Sequence, residues 1–155
     1  MNEIHECLRN IKHNYFSVIV LTKNYFILQV CGYGWIGLNL ACYQLIYNAA
    51  GRDGASAGCQ SLGGHLTLIS DNQERAAIQT YLASLGLTDS NKIYIDGTDA
   101  AVKGVWRTEA GDVMTYTGMT SGQPNGGTVE NCIGVSVTRI FDTGCTHTRS
   151  AICEM

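Results

Sequence analysis

Oxygen-bearing side chains are concentrated in the last third of the chain. Gln123 and Asn125 flank Pro124, the single proline. Glu130 follows five residues after Asn125, and Asp142 lies further along. Carboxylate and amide oxygens suit a hard cation such as calcium, which takes six to eight oxygens at ~2.3 to 2.6 Å. These residue types could therefore hold a calcium ion if the fold brings them together.

The remaining reactive side chains form no recognisable catalytic or zinc-binding pattern. His65 and His147 stand alone in the sequence, without a paired base or nucleophile. No Cys-x-x-Cys pair occurs, and no histidine pair follows at the spacing of zinc ligands. The sequence therefore predicts a protein that is not an enzyme.

The composition predicts one globular domain. The chain has 155 residues, of which 45% are hydrophobic and 15% charged, and its formal net charge is −3. Such a balance offers no basic field for a phosphate backbone, so nucleic acid is not predicted as a partner. Eighteen glycines beside a single proline are typical of a loop-rich domain.

Seven cysteines indicate an oxidising compartment, and we therefore predict a secreted, extracellular protein. Their spacing alone leaves the disulfide connectivity open. They are Cys7, Cys31, Cys42, Cys59, Cys132, Cys145 and Cys153.

The N-terminal segment is a separate prediction. Its apolar runs, from Tyr15 to Leu21 and from Tyr25 to Val30, are each too short to span a bilayer. Residues 1–30 are predicted to be an atypical signal peptide or an N-terminal extension, and residues 31–155 a single domain. Cys7 is then either absent from the mature protein or available for an intermolecular disulfide in an oligomer.

A strand and a first helix are predicted early in the domain. Residues 42–47 have strand composition, and the small and polar residues 48–54 interrupt it. A short helix follows, with Ala55, Cys59 and Leu62 spaced along one buried face.

A second helix is predicted after a strand at residues 65–69. Ser70 and Gln73 match the pattern of a capping box at its start, and Gly86 matches a C-terminal cap. Its buried face would carry Ile78, Leu82 and Leu85.

The chain beyond Gly86 is predicted to consist of short strands and long loops, with no further helix. This order of elements is typical of an α+β fold, and a loop from about 97 to 130 is long enough to indicate function. The predicted strands cover residues 92–95, 112–116, 131–137 and 146–153.

Several motifs, taken in order, resemble the C-type lectin domain family in its long form. The resemblance covers residues 31–155 and implies a C-type lectin-like fold: two helices, short antiparallel sheets and a long loop region, stapled by disulfides. It implies the pairs Cys31–Cys42, Cys59–Cys153 and Cys132–Cys145. The matching segments are Cys31, Cys42-Tyr43, residues 57–66, Gly104-Val105-Trp106, Gln123-Pro124-Asn125 and residues 151–154.

The resemblance also implies a metal site that binds carbohydrate. The implied calcium ligands include only two carboxylates, those of Glu130 and Asp142, which predicts weak calcium binding. Phe141 stands where the family places an asparagine ligand, so one ligand is lost unless water or Thr143 replaces it. The residues that would hold one calcium ion, and through it the sugar, are Gln123, Asn125, Glu130 and Asp142.

Two further departures from the family bear on ligands. Gly126 and Asn131 stand where some members carry acids for a second calcium ion, so that second site is predicted to be absent. The paired amides of the tripeptide offer neither the mannose nor the galactose pattern, and residues 126–128 include no aromatic ring. We therefore expect mannose-type or broad, weak recognition.

The predicted function is that of a secreted, calcium-dependent lectin that recognises microbial or host glycans in innate recognition. Its low affinity for a single glycan would be raised by multivalency. The alternative is a calcium-independent interaction module of the same fold that binds protein or other surfaces.

Overall fold

The computed structural model describes residues 16–22 and 25–155. The chain divides into two compact units, with the boundary between Cys42 and Tyr43. The predicted processing boundary at residue 30 stays a prediction, and Cys7 lies outside the described residues. No helix in the described part of the chain is long and apolar enough to cross a membrane.

The first unit contains a β-hairpin. Strands β1 (Phe16–Thr22) and β2 (Tyr25–Cys31) pair in antiparallel fashion. A short strand, β3 (Ile36–Leu38), follows, and the Cys31–Cys42 disulfide ties the end of β2 to the end of the unit.

The second unit is built around a mixed sheet. Strand β9 (Thr148–Glu154) is central and pairs with β4 (Ala41–Ala50), β5 (His65–Leu66) and β6 (Ile93–Thr98). Strand β6 continues the sheet to β7 (Cys132–Val135), which pairs with β8 (Ile140–Thr143). The α+β fold class is confirmed, but the β6–β9 pair is parallel, whereas the predicted sheets were antiparallel throughout.

Helix α1 (Gly51–Ser61) begins earlier than predicted. Gly51 has φ 75°, and an added Cβ would approach the backbone oxygen of Cys145 to 2.7 Å. This glycine lets β4 turn directly into the helix, so residues 48–50 remain in the strand and the predicted interruption is wrong. Ala55 and Cys59 are buried as predicted, but Leu62 lies past the helix end and is 41% exposed.

Helix α2 (Asn72–Ser84) is capped one residue later than predicted. The cap is Asp71, whose carboxylate accepts the backbone N–H of Glu74 at 2.8 Å, while Glu74 accepts from Ser70 in return. A charged cap suits the helix N-terminus, and Asp71 with Glu74 replaces the predicted pair of Ser70 with Gln73. Ile78 and Leu82 are fully buried, but Leu85 is the C-terminal cap residue and is 44% exposed.

Two strand predictions beyond α2 are wrong. Residues 112–116 form no strand; only Val113 makes an isolated bridge, with Arg107, because this segment folds back as a turn. Strand β8 was missed, although all four of its residues are buried. Aspartate is rarely buried, so Asp142 made residues 140–143 look unlike a buried strand in the sequence.

The second unit contains two disulfides. They are Cys59–Cys153, which joins α1 to β9, and Cys132–Cys145, which joins β7 to the chain just after β8. Together with Cys31–Cys42, these are the three pairs that the family resemblance implied.

The long-range bridge should stabilise the fold more than the short-range one. Replacing Cys59 and Cys153 by alanine is expected to lower the free energy of unfolding by about 4 to 5 kcal/mol, because the bridge spans 94 residues of sequence. The control pair, Cys132 and Cys145, spans 13 residues and should cost about 3 kcal/mol. Guanidinium unfolding measures both, and an equal or larger loss in the control would contradict the loop-length explanation.

Candidate functional site

The segment between β6 and β7, residues 99–131, contains neither helix nor strand. Its two ends meet, because the N–H of Asp99 and the hydroxyl of Thr98 both donate to the backbone oxygen of Asn131. Further along, the backbone N–H of Thr120 donates to Ile140 on β8 at 2.9 Å. The segment therefore rises from the sheet and returns to it beside β8.

The turn between β7 and β8 is held by Asp89. Its carboxylate accepts hydrogen bonds from the hydroxyl of Ser136 at 2.8 Å and from both the backbone and the hydroxyl of Thr138. These hydrogen bonds hold the pKa of Asp89 below its usual value. The turn fixes where β8 begins, and so where Asp142 is presented.

Asp142 ties β8 to the tripeptide loop. The residue is 3% exposed, and its two carboxylate oxygens accept the backbone N–H of Asn125 at 2.9 and 3.0 Å. One of them also accepts the N–H of Gly126 at 2.7 Å. Residues 17 positions apart in sequence are thus brought together by one buried carboxylate.

Glu130 lies against the same loop. An added Cβ on Gly126 would overlap the Oε2 and Cβ atoms of Glu130, so the glutamate side chain occupies the space that any other residue would need. The carboxylates of Glu130 and Asp142 therefore both contact Gly126. The sequence had shown Gly126 only as a missing acid, and nothing in a single sequence indicated its packing role.

Gln123 has a buried acceptor without a partner. Its Oε1 atom is inaccessible to solvent and finds no hydrogen bond among the described residues. The peptide bond from Gln123 to Pro124 is cis. Asn125 is exposed at its side chain and is held through its backbone by Asp142. The contacts thus bring Asn125, Glu130 and Asp142 together around Gly126, with Gln123 two residues before Asn125.

Phe141 has a packing role. Its ring lies on Gly134 of β7, with the Lys92 ammonium 5.4 Å and the Arg139 guanidinium 5.9 Å from the ring centroid. Side chains alternate along a strand, so Phe141 and Thr143 share the face opposite Asp142. A methyl group of Thr143 also lies 3.4 Å from the Cβ position of Gly134, which places Thr143 away from the Asp142 carboxylate. The suggestion that Thr143 replaces the lost ligand is therefore wrong.

Lys103 is a site residue that the sequence analysis missed. Its Nζ lies 3.0 Å from Asp99 Oδ2, 3.0 Å from the backbone oxygen of Glu130 and 3.3 Å from Asn131 Oδ1. The spacing of Asp99 and Lys103 is visible in sequence, but outside a helix it predicts no contact.

Structural contacts account for two tryptophans and two histidines, and Trp106 also borders the site through Lys103, whose Nζ lies 5.7 Å from its ring centroid. Trp106 is 8% exposed and Trp35 5%, as expected of core residues. The Nδ1 atom of His65 is bonded to the backbone oxygen of Leu66, and that of His147 to the backbone oxygen of Gly144. In the described part of the chain, no group of three or more histidine, cysteine, aspartate or glutamate side chains could hold a metal. Any ion at the loop would therefore depend on amide and backbone oxygens as well.

Comparison with known proteins decides the family. A family model described as the lectin C-type domain matches residues 48–155, which is most of the chain. The chain belongs to the C-type lectin domain family. Similarity to a curated relative supports this assignment: the chain is 29% identical over 104 residues to perlucin from Haliotis laevigata, an alignment covering 66% of each protein.

Solved structures show the same C-type lectin fold. The carbohydrate-recognition domain of the mouse scavenger receptor C-type lectin superposes with a TM-score of 0.71 at 22% identity, covering 81% of this chain and 95% of that one. A calcium-independent type II antifreeze protein gives 0.69 at 25% identity, with 81% and 94% covered. C-type lectin domains of this kind are binding modules, so this chain is a non-enzymatic binding protein.

Replacing Gly126 by alanine should displace Glu130. The added methyl group overlaps the glutamate side chain, so we expect a loss of about 1 to 3 kcal/mol in stability and a shift of the Glu130 and Asn131 amide resonances. NMR spectroscopy and thermal unfolding measure both effects.

Gly127→Ala is the matched control for this substitution. Gly127 has φ 57° and no atom near its Cβ position, so alanine there strains the backbone without touching Glu130. Equal shifts of Glu130 in the two variants would contradict the packing role of Gly126.

Proposed function

We propose that this C-type lectin domain binds one calcium ion through Gln123, Asn125, Glu130 and Asp142, and binds glycans through that ion. The observation that carries the proposal is the buried Oε1 of Gln123, an acceptor without a hydrogen bond in the described part of the chain. A buried polar atom left unpaired costs free energy, and a cation would satisfy it.

The other oxygens fit a single, weakly held ion. The Glu130 carboxylate forms no hydrogen bond or ion pair with the described residues, so both of its oxygens are available to a cation. Asp142 has less capacity, because its two oxygens already accept the backbone N–H groups of Asn125 and Gly126, the first of which is shared between both oxygens. Phe141 contributes no oxygen. With two carboxylates and one lost ligand, low calcium affinity follows.

When bound, the calcium ion would supply a Lewis-acidic centre that holds neighbouring hydroxyls of a sugar. The chain's own residues would set the choice of sugar. The amides of Gln123 and Asn125 can each donate and accept hydrogen bonds, so they impose no single donor and acceptor pattern. We propose mannose-type or broad recognition of microbial or host glycans, as in innate recognition.

An extracellular location and a multivalent assembly complete the proposal. Three disulfides within the described residues favour an oxidising, extracellular environment. Weak binding of a single glycan gains most from several linked domains, and an intermolecular disulfide through Cys7 would provide such a link.

Two observations favour a second candidate, a calcium-independent interaction module. The Asp142 carboxylate accepts the backbone N–H groups of Asn125 and Gly126, so protein hydrogen bonds hold the loop and leave this carboxylate little capacity for an ion. Phe141 stands where the family places a calcium ligand, and here its side chain packs on the sheet. The calcium-independent type II antifreeze protein, whose structure is similar, is consistent with this candidate.

Gln123→Glu should couple stability to calcium. A carboxylate in place of the unpaired Oε1 would be a buried charge without a partner, so the variant is expected to unfold at a lower temperature than wild type in chelator. Calcium should restore its melting temperature and bind more tightly than to wild type, since a third carboxylate is added. Thermal unfolding with calcium or chelator measures this. A variant insensitive to calcium would contradict the assignment of Gln123.

Calorimetry with Glu130→Gln tests the ion site by loss. Glu130 is preferable to Asp142 because its carboxylate holds no part of the loop by hydrogen bonds. We expect wild type to release or absorb heat with calcium and the variant to bind at least about tenfold more weakly, because one of two charges is lost. The control is Asp112→Asn, an exposed acid in the same segment, which should bind like wild type.

Retention on mannose and galactose resins, with and without chelator, then tests the lectin function. Chelator-sensitive retention of wild type on the mannose resin, reduced in Glu130→Gln, is the expected result. Retention that survives both chelator and Glu130→Gln would favour the calcium-independent module, and the absence of calcium heat in wild type would exclude the proposed ion site.

A further inference from the structure

The ammonium of Lys103 sits in a cradle of oxygens drawn from two distant segments. Asp99 approaches with Oδ2 at 3.0 Å and Oδ1 at 3.3 Å. The backbone oxygen of Glu130 lies at 3.0 Å and the amide oxygen of Asn131 at 3.3 Å. The ring of Trp106 closes another side, with its centroid 5.7 Å away. We call this group of residues the Lys103 cradle: Asp99, Trp106, Glu130 and Asn131.

The cradle contains a buried charge that needs a cation. The Asp99 side chain is 0% exposed, whereas the Lys103 side chain is 37% exposed. Apart from Lys103, the Asp99 carboxylate accepts the backbone N–H of Gly104 at 2.9 Å. A buried carboxylate is costly unless it is paired and hydrogen-bonded, so the ammonium is what makes Asp99 tolerable at this position.

The cradle also determines where Glu130 lies. The Lys103 ammonium contacts the backbone oxygen of Glu130 and the side-chain oxygen of Asn131, and it also contacts Asp99. It therefore links the beginning and the end of the segment from residue 99 to residue 131. The Glu130 carboxylate points away from this anchor, toward Gly126. Fixing the backbone on one side therefore presents the carboxylate on the other.

We propose that Lys103 is a built-in cation that substitutes for a metal ion in this cradle, and that it is a positioning residue for Glu130. The inference rests on the proposed function only where it treats Glu130 as a calcium ligand. The anchoring of residues 130 and 131 requires no bound ion.

Hydrogen exchange in chelator tests the positioning role. Lys103→Met keeps the apolar stem and removes the charge, so amide exchange of residues 99–104 and 129–131 is expected to rise by about tenfold. Lys103→Arg keeps a positive charge with several donors and should recover part of the protection. Lys92→Met is the matched control, because Lys92 also lies over an aromatic ring, that of Phe141, and contacts no residue of the cradle.

The outcomes of the exchange experiment are distinct. Local loss of protection in Lys103→Met, with recovery in Lys103→Arg, supports the proposal. Protection equal to that of wild type, or a loss equal to that of Lys92→Met, overturns it. Because chelator is present throughout, the result does not depend on whether the Gln123 site binds calcium.

A second experiment tests whether the Lys103 ammonium occupies a position that a metal ion could take. Lys103→Glu replaces the ammonium with a second carboxylate beside Asp99, so terbium, a luminescent substitute for calcium, should enter the cradle. Trp106 is close enough to sensitise its emission, and we expect tryptophan-excited terbium luminescence to exceed that of wild type. Adding Asp99→Asn should abolish the gain.

The comparison is repeated in the Glu130→Gln background, where the proposed calcium site is weakened and residue 130 keeps the backbone oxygen that contacts Lys103. A gain that persists there supports a cation position at Lys103. Emission equal to wild type in a folded Lys103→Glu variant overturns it. Failure of the calcium proposal would instead appear as absent calcium heat in wild type, with the exchange result unchanged.

Discussion

The carboxylate of Asp142 fixes the geometry of the loop that contains the proposed site. It is buried, and it accepts the N–H groups of Asn125 and Gly126, so one side chain joins the last short strand of the sheet to the tip of a long loop. Without that junction, the loop would have to be ordered by its own turns or by a ligand. The sheet, the Asp89-capped turn and the Cys132–Cys145 disulfide all serve to place this carboxylate.

The acidic side chains of this region differ in their partners within the protein. Asp99 is paired with Lys103, and Asp142 is stabilised by backbone N–H groups, whereas the Glu130 carboxylate and the amide oxygen of Gln123 have no hydrogen-bond partner among the described residues. In this chain, the acids near the loop differ in whether they have a partner within the protein, and that difference affects which of them could hold an ion.

The sequence was informative where local rules and strong motifs agree, and silent where contacts are distant. The buried positions Ala55, Cys59, Ile78 and Leu82 follow from helical periodicity. Leu62 and Leu85 continue the same spacing but fall just past the helix ends, where periodicity no longer determines burial. The roles of Gly126 and Lys103 depend on neighbours that are close only after folding, so no pattern in the chain could reveal them.

The packing of Phe141 limits which residues position 141 can accept. Its ring lies on Gly134, is almost fully buried and has the cations of Lys92 and Arg139 near its centroid, so Phe141 packs as part of the sheet. Restoring a polar ligand at this position alone would uncover Gly134 and leave both cations without their aromatic neighbour. A polar residue at position 141 would therefore need compensating substitutions at the positions that now pack against the ring. Phe141 thus couples the identity of this position to the packing of β7.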